Sequence, residues 1–190
     1  MTLPLAIEIT AVLTGLAYLV LLMQQRIACW PFGIVSSLLS IYLFITAKLY
    51  SEAILYSYYV VMGFYGWYYW HRRGAQGFPL QQWPLRKHIV ALVIGVAASL
   101  GLGWFFATKT DANNAFADAS NAIFSFIATY LETQKVVAGW IYWIVINVFS
   151  TWLYYQRDLK IYAALMVVYT VLSVVGFVRW RREYRLARSG

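Results

Sequence analysis

The sequence predicts an all-α membrane protein of seven transmembrane helices, and three observations predict it. Hydrophobic residues make up 62% of the 190 positions and charged residues only 12%, against about 25% charged in ordinary soluble domains. Apolar runs near the length needed to cross a bilayer, about 20 residues, recur seven times with short polar breaks. No run sustains the two-residue alternation of a membrane β-barrel. With a mean hydropathy of +0.63, a soluble globular domain, a disordered chain and a coiled coil are excluded. The single cysteine, Cys29, allows no internal disulfide.

The seven runs cover roughly 5–23, 28–47, 50–70, 88–107, 116–133, 136–156 and 159–179. The first lacks a basic leader, begins with Pro4 and Glu8 and is followed by further spans, so it reads as a retained helix rather than a signal peptide. The second and sixth open on Trp30 and Trp140, aromatic residues of the kind that hold helix ends at an interface or line cavities. Basic residues set the orientation. Arg26, Arg72, Arg73, Arg86, Lys87, Lys135 and the tail arginines 179, 181, 182, 185 and 188 fall on one side, and Lys48, Lys109, Arg157 and Lys160 on the other. The basic side faces the cytoplasm, which puts the N-terminus outside and the C-terminus inside. The net charge of +8 therefore reflects membrane orientation, with the tail RWRREYRLARSG as a juxtamembrane anchor against anionic lipid rather than a nucleic-acid arm.

A shift of 110 residues lays 8–73 on 118–183 without a gap. Trp30 meets Trp140, Gly66 meets Gly176, Trp70 meets Trp180 and Arg72 meets Arg182; Ile34-Val35, Ser40, Leu49, Ala53, Tyr59 and Val61 also meet identical partners. Two three-helix copies joined directly would point in opposite directions. The extra span at 88–107 restores the second, giving a 3+1+3 plan of parallel repeats. The expected divisions are a first repeat over 1–73, a basic cytoplasmic loop and linker helix over 74–110, a second repeat over 111–183 and a basic tail over 184–190. Parallel repeats are a transporter architecture with the substrate site near the midplane where the copies meet.

Polar residues inside membrane helices are costly and mark cavities or pathways. The fifth helix carries Asp118, Asn121, Ser125, Thr129 and Glu132, and the sixth carries Trp140, Trp143, Asn147, Thr151 and Tyr154. Both series step by three and four, along one face of a helix. Such residues can equally glue helices together by hydrogen bonds. The first copy has Ala11, Leu22 and Ser37 where the second has Asn121, Glu132 and Asn147. The second copy is thus expected to supply polar contacts and the first an aromatic wall from Trp30, Tyr42 and the tyrosines of the third helix. Glu132 has two readings: a side chain snorkelling to water beside Lys135, or a carboxylate compensating a cationic substrate among aromatic faces. His71 and His88 flank the basic connection without metal-ligand spacing and read as solvated loop residues. No phosphate-binding glycine loop, retinal-type lysine or catalytic constellation stands out, so no enzyme and no cofactor are expected.

Three stretches carry a family resemblance: WPFGIV (30–35), KLYSEAILYSYYVVMGFYGWYYW (48–70) and SNAIFSFIATYLETQKVVAGWIYWIVINVFS (120–150). They are similar to the PnuC-type vitamin transporters, over nearly the whole chain. The resemblance implies a full-length SWEET-like organisation in the inner (plasma) membrane of a bacterium, a homotrimer, and facilitated diffusion of a vitamin that a cytoplasmic kinase then traps by phosphorylation. It also divides by substrate. Gly63 and Glu132 stand where the nicotinamide riboside branch has Asn in NxYGW and Met in LMxxK, and the carboxylate suits the thiazolium of thiamine. Thiamine is therefore the expected substrate, with nicotinamide riboside, itself a cation, and riboflavin as alternatives. Trp30, Trp143 and Tyr154 would contact rings, Asn121 and Asn147 would hydrogen-bond the aminopyrimidine, Glu132 would balance charge, and Trp140 completes the face. A vitamin-binding sensor and a lipid-acting membrane enzyme are the rivals, but the one would bring a signalling domain and the other a nucleophile or metal cluster.

Overall fold

Helices stand where the apolar runs fall. The computed structural model describes residues 3–46, 50–74, 79–109, 114–158 and 160–189; Lys48 and Leu49, used above for topology and for the repeat, lie outside them. The helices are α1 (Leu3–Met23), α2 (Cys29–Thr46), α3 (Tyr50–Arg72), α4 (Leu85–Lys109), α5 (Ala115–Thr133), α6 (Gly139–Gln156) and α7 (Lys160–Ser189). Among the described residues, four segments, Leu5–Met23, Cys29–Thr46, Leu85–Lys109 and Tyr162–Ser189, are long and apolar enough to cross a membrane. The other three helices fall short in apolarity because α3 and α6 are rich in tyrosine and tryptophan and α5 carries Asp118, Asn121 and Glu132. Three boundaries differ from expectation by three residues or more. α4 begins at Leu85 rather than 88, directly after Pro84. α6 begins at Gly139 rather than 136, because residues 134–138 form the turn described below. α7 runs ten residues past 179, since nothing in that stretch breaks a helix and Arg179 Nε donates to Glu183 Oε1 one turn on at 3.0 Å.

The chain forms two compact units, Met1–Pro79 and Leu80–Gly190. In the first, α2 packs against both α1 and α3. The approach is close because glycines meet large side chains, the usual device of membrane helices. A Cβ on Gly33 would lie 2.8 Å from the Tyr18 ring, one on Gly63 would lie 2.6 Å from Ile34 Cγ1, and one on Gly66 would lie 2.4 Å from Trp30. Trp30 fills that last notch, fully buried, with its ring edge-on to Trp70 at 5.4 Å. Ser36 Oγ donates to the Ala11 carbonyl across α1 and α2 at 2.8 Å.

In the second unit α6 packs between α5 and α7, and α4 packs on α5. The α4–α5 contact uses a stripe of Gly95, Ser99 and Gly103 against Phe124, Ile127 and Phe116. Gly176 of α7 takes the Trp140 ring, which would stand 2.8 Å from a Cβ there, and Trp140 meets Trp180 edge-on at 5.4 Å. This is the notch of the first unit reproduced 110 residues on.

The turns match as closely. After α1, Gln25 has φ 56°, its N–H reaches the Leu22 carbonyl and that of Arg26 reaches Leu21. After α5, Lys135 has φ 50°, and the N–H groups of Lys135 and Val136 reach Glu132 and Leu131. Both are Schellman caps. Each places a residue with a side chain where glycine is usual, at a conformational cost of about 1–2 kcal/mol. Tertiary packing must offset that cost, and Lys135, Val136 and Val137 are indeed buried.

Gly66→Ala and Gly176→Ala each put a methyl where a tryptophan ring stands. Each should lower stability by about 1–3 kcal/mol, read as the unfolding midpoint in detergent, and the penalty should vanish in the matching Trp30→Ala or Trp140→Ala background. An equal penalty in both backgrounds would show that the notch does not set the spacing. At the far end of α5 and α6 from their turn, Arg157 Nη2 donates to Asp118 Oδ1 at 2.8 Å and Oδ2 at 2.9 Å. These side chains are partly exposed, so a double-mutant cycle of Asp118→Asn and Arg157→Gln should return a coupling of at most about 1 kcal/mol, weakened by salt.

Candidate functional site

A polar side chain on a lipid-embedded helix must find a partner in the protein, in a water-filled cavity or in a ligand. The α5 and α6 stripes can be followed residue by residue on that basis. At one end Asp118 is held by Arg157. One turn inward, Asn121 Oδ1 accepts from Ser150 Oγ at 2.8 Å, joining α5 to α6. Ser125 and Thr129 are buried, and the Thr129 hydroxyl donates back to the Ser125 carbonyl at 2.8 Å. On α6, Asn147 is buried and its Nδ2 donates to Ser173 Oγ of α7 at 3.3 Å. Thr151 Oγ1 donates to the Asn147 carbonyl at 2.7 Å.

The two asparagines thus join three helices into one ladder. Each uses half of its amide in the joint. Among the described residues, the Asn121 Nδ2 donors and the Asn147 Oδ1 acceptor are not engaged in a side-chain hydrogen bond. An amide of each polarity is therefore left over on adjacent helices, a chemistry suited to a ligand that both accepts and donates.

The other candidates divide by role. Trp30 belongs to the first unit and the remaining six to the second. Trp30 and Trp140 are wholly enclosed in their glycine notches, so their rings are occupied in spacing helices. Trp143, one turn from Asn147, and Tyr154 are half-buried, and Tyr154 leans on Tyr162 with ring centroids 5.9 Å apart. Glu132 is 2% exposed and Lys135 1%, so neither snorkels to water. Both are buried in the same turn, three residues apart. An open apolar depression of about 360 Å³ between α6 and α7 includes Val148, Thr151, Trp152 and Val171, but none of the seven candidates lines it.

Residues 80–84 form a strap that the polar stripes gave no reason to expect. The Gln81 N–H donates to the Lys135 carbonyl and its carbonyl accepts from Val137, both at 2.9 Å, as an isolated parallel β-bridge against the α5–α6 turn. Trp83 follows, tilted against His88 at 5.8 Å and edge-on to Tyr130 at 6.3 Å, with Lys87 Nζ 5.5 Å from its ring. His88 is consequently not a solvated loop residue. It lies in the first turns of α4, with Nδ1 3.1 Å from the Tyr142 hydroxyl of α6. His71, at the end of α3, is exposed. The signal for the strap was Trp83-Pro84, an aromatic and a helix-starting proline isolated in a polar connection.

A model of the nicotinamide mononucleotide transporter family matches residues 5–182. The chain is 22% identical over 206 aligned positions to the nicotinamide riboside transporter PnuC of Escherichia coli (strain K12), covering 94% of this chain and 86% of that protein. The protein of the same name from Shigella flexneri gives the same figures. Among solved structures, the crystal structure of the vitamin B3 transporter PnuC is similar with a TM-score of 0.77 at 22% identity, over 93% of this chain and 80% of that one. These relatives give the expected thiamine no support. Matched along almost its whole length, the chain belongs to the nicotinamide mononucleotide transporter family, whose PnuC members are multi-pass membrane transporters.

Proposed function

We propose that this chain is a facilitator for nicotinamide riboside. The observation that carries the reading is the family match across residues 5–182, together with curated relatives named for that substrate. The residue-level case for thiamine rested on Gly63 and Glu132, and both have another account. Gly63 is where Ile34 of α2 packs on α3, so its missing side chain serves helix packing. Glu132 shares its dry turn with Lys135, so its charge need not signal a different cation. Aromatic faces and a carboxylate suit either vitamin.

In this reading the leftover Asn121 donors and Asn147 acceptor take the carboxamide and a ribose hydroxyl. Trp143, one turn from Asn147, faces the pyridinium ring, where cation–π attraction is worth about 1–2 kcal/mol; Tyr154, about 16 Å further along α6, meets the substrate elsewhere on its path, and Glu132 contributes negative potential. Trp30 and Trp140 act through the helix positions they fix. We ascribe to the chain the 3+1+3 parallel-repeat, SWEET-like plan, which the matched notches and caps 110 residues apart support. The N-terminus lies outside and the C-terminus in the cytoplasm, by the distribution of basic residues. Transport runs down the gradient, with phosphorylation inside the cell as the trap, and the homotrimer of the family resemblance is adopted as the assembly.

Liposomes holding the purified chain should take up labelled nicotinamide riboside without ATP or an ion gradient. Excess unlabelled nicotinamide riboside should suppress the signal and excess thiamine should not; suppression by thiamine alone would reverse the assignment. Asn147→Ala and Glu132→Gln should each weaken binding about tenfold, the value of one to two hydrogen bonds or a partly screened charge. Unchanged affinity in both variants would move the site elsewhere.

A further inference from the structure

The longest helix carries a charge pattern that transport does not use. α7 has 30 residues, about 45 Å at 1.5 Å per residue, against about 30 Å of hydrocarbon. Its uncharged stretch, residues 161–178, accounts for about 27 Å. Five arginines and one glutamate follow within residues 179–189, so the charge begins where hydrocarbon gives way to headgroups.

The arginines are not equivalent. Arg179 is paired with Glu183, and Arg188 and Arg181 lie over the rings of Tyr184 and Phe177 at 5.9 and 5.7 Å. Arg182 and Arg185 make no ion pair or ring contact among the described residues. Their direction is fixed. Trp180 is fully buried against Trp140, and at 3.6 residues per turn Val178, Arg182 and Arg185 fall on the opposite side of the helix, where all three are exposed. With Phe177, Arg181 and Leu186 they line an open depression of about 480 Å³.

We propose that this face binds the phosphate of an anionic phospholipid, with Arg182 and Arg185 on the headgroup and Phe177, Val178 and Leu186 against the glycerol and upper acyl chain. Two unengaged guanidiniums meet the charge and geometry of a phosphodiester. The apolar side chains bracketing them favour a lipid over a free phosphate or an acidic soluble protein, neither of which has an apolar end to place there. The site is separate from the substrate residues on α5 and α6.

The test is native mass spectrometry of the full chain released from nanodiscs of equimolar phosphatidylglycerol and phosphatidylcholine. The wild-type chain should retain phosphatidylglycerol in preference. At about fivefold per arginine, from roughly 1 kcal/mol each, Arg182→Gln with Arg185→Gln should reduce the retention ratio about twenty-five-fold. Arg179→Gln with Arg188→Gln removes the same charge from arginines already engaged and should leave the ratio within about twofold. Arg182→Lys with Arg185→Lys should keep part of the preference. Equal losses in the two double glutamine variants would overturn the proposal as an undirected charge effect. Unchanged retention in the first would overturn it in favour of an acidic soluble partner, and stripping of the lipid by inorganic phosphate would overturn it in favour of a bare anion site.

Discussion

The hydrocarbon interior gives a polar side chain no solvent to fall back on, and the second unit is organised by that constraint. Asparagines at 121 and 147 could not be carried by α5 and α6 unless they were met from neighbouring helices. Ser150 and Ser173 meet them, and in doing so align α5, α6 and α7 in one register. A serine hydroxyl satisfies only part of an amide. The remainder is a standing demand for a partner, which the proposed function assigns to the substrate. The cost of burying polar groups is what makes the ladder a structural joint and, in that proposal, a recognition surface.

Spacing between helices comes from a different source. Each unit drives a tryptophan into a glycine notch and holds it edge-on to a second tryptophan, at the same 5.4 Å separation in both. A left-handed residue that is not glycine closes the α1–α2 turn of the first and the α5–α6 turn of the second. Such turns are retained because the buried side chains around them offset the backbone cost. In the second unit, Gln81 adds two backbone hydrogen bonds to the turn that holds Glu132 and Lys135.

Much of this was legible in the residues. Apolar run lengths gave seven helices because backbone hydrogen bonding in lipid leaves few alternatives. The Trp and Gly identities under the 110-residue shift marked the notches, since large and small residues at matched positions are what close packing requires. The polar stripes were visible as periodicity, but whether Asn121 and Asn147 face a neighbour or a cavity is a tertiary question that spacing cannot answer; they do face neighbours, with one arm of each left over. Burial of Glu132 was similarly hidden, because a carboxylate near a helix end beside a lysine has the same local pattern whether wet or dry. The strap at Gln81 depends on backbone groups that carry no residue signature. Substrate choice was the least legible feature: thiamine and nicotinamide riboside are both flat cations, and of the positions that pointed to thiamine, Gly63 is a packing contact for Ile34 and Glu132 is buried.

The most direct test is an experimental structure of the full chain with nicotinamide riboside bound. The account requires the pyridinium ring beside Trp143 and the carboxamide or ribose within hydrogen-bond distance of Asn147 Oδ1 and Asn121 Nδ2, with the Ser150 and Ser173 bonds retained. A ligand seated in the apolar depression between α6 and α7, or one whose nearest polar contacts omit both asparagines, would contradict it.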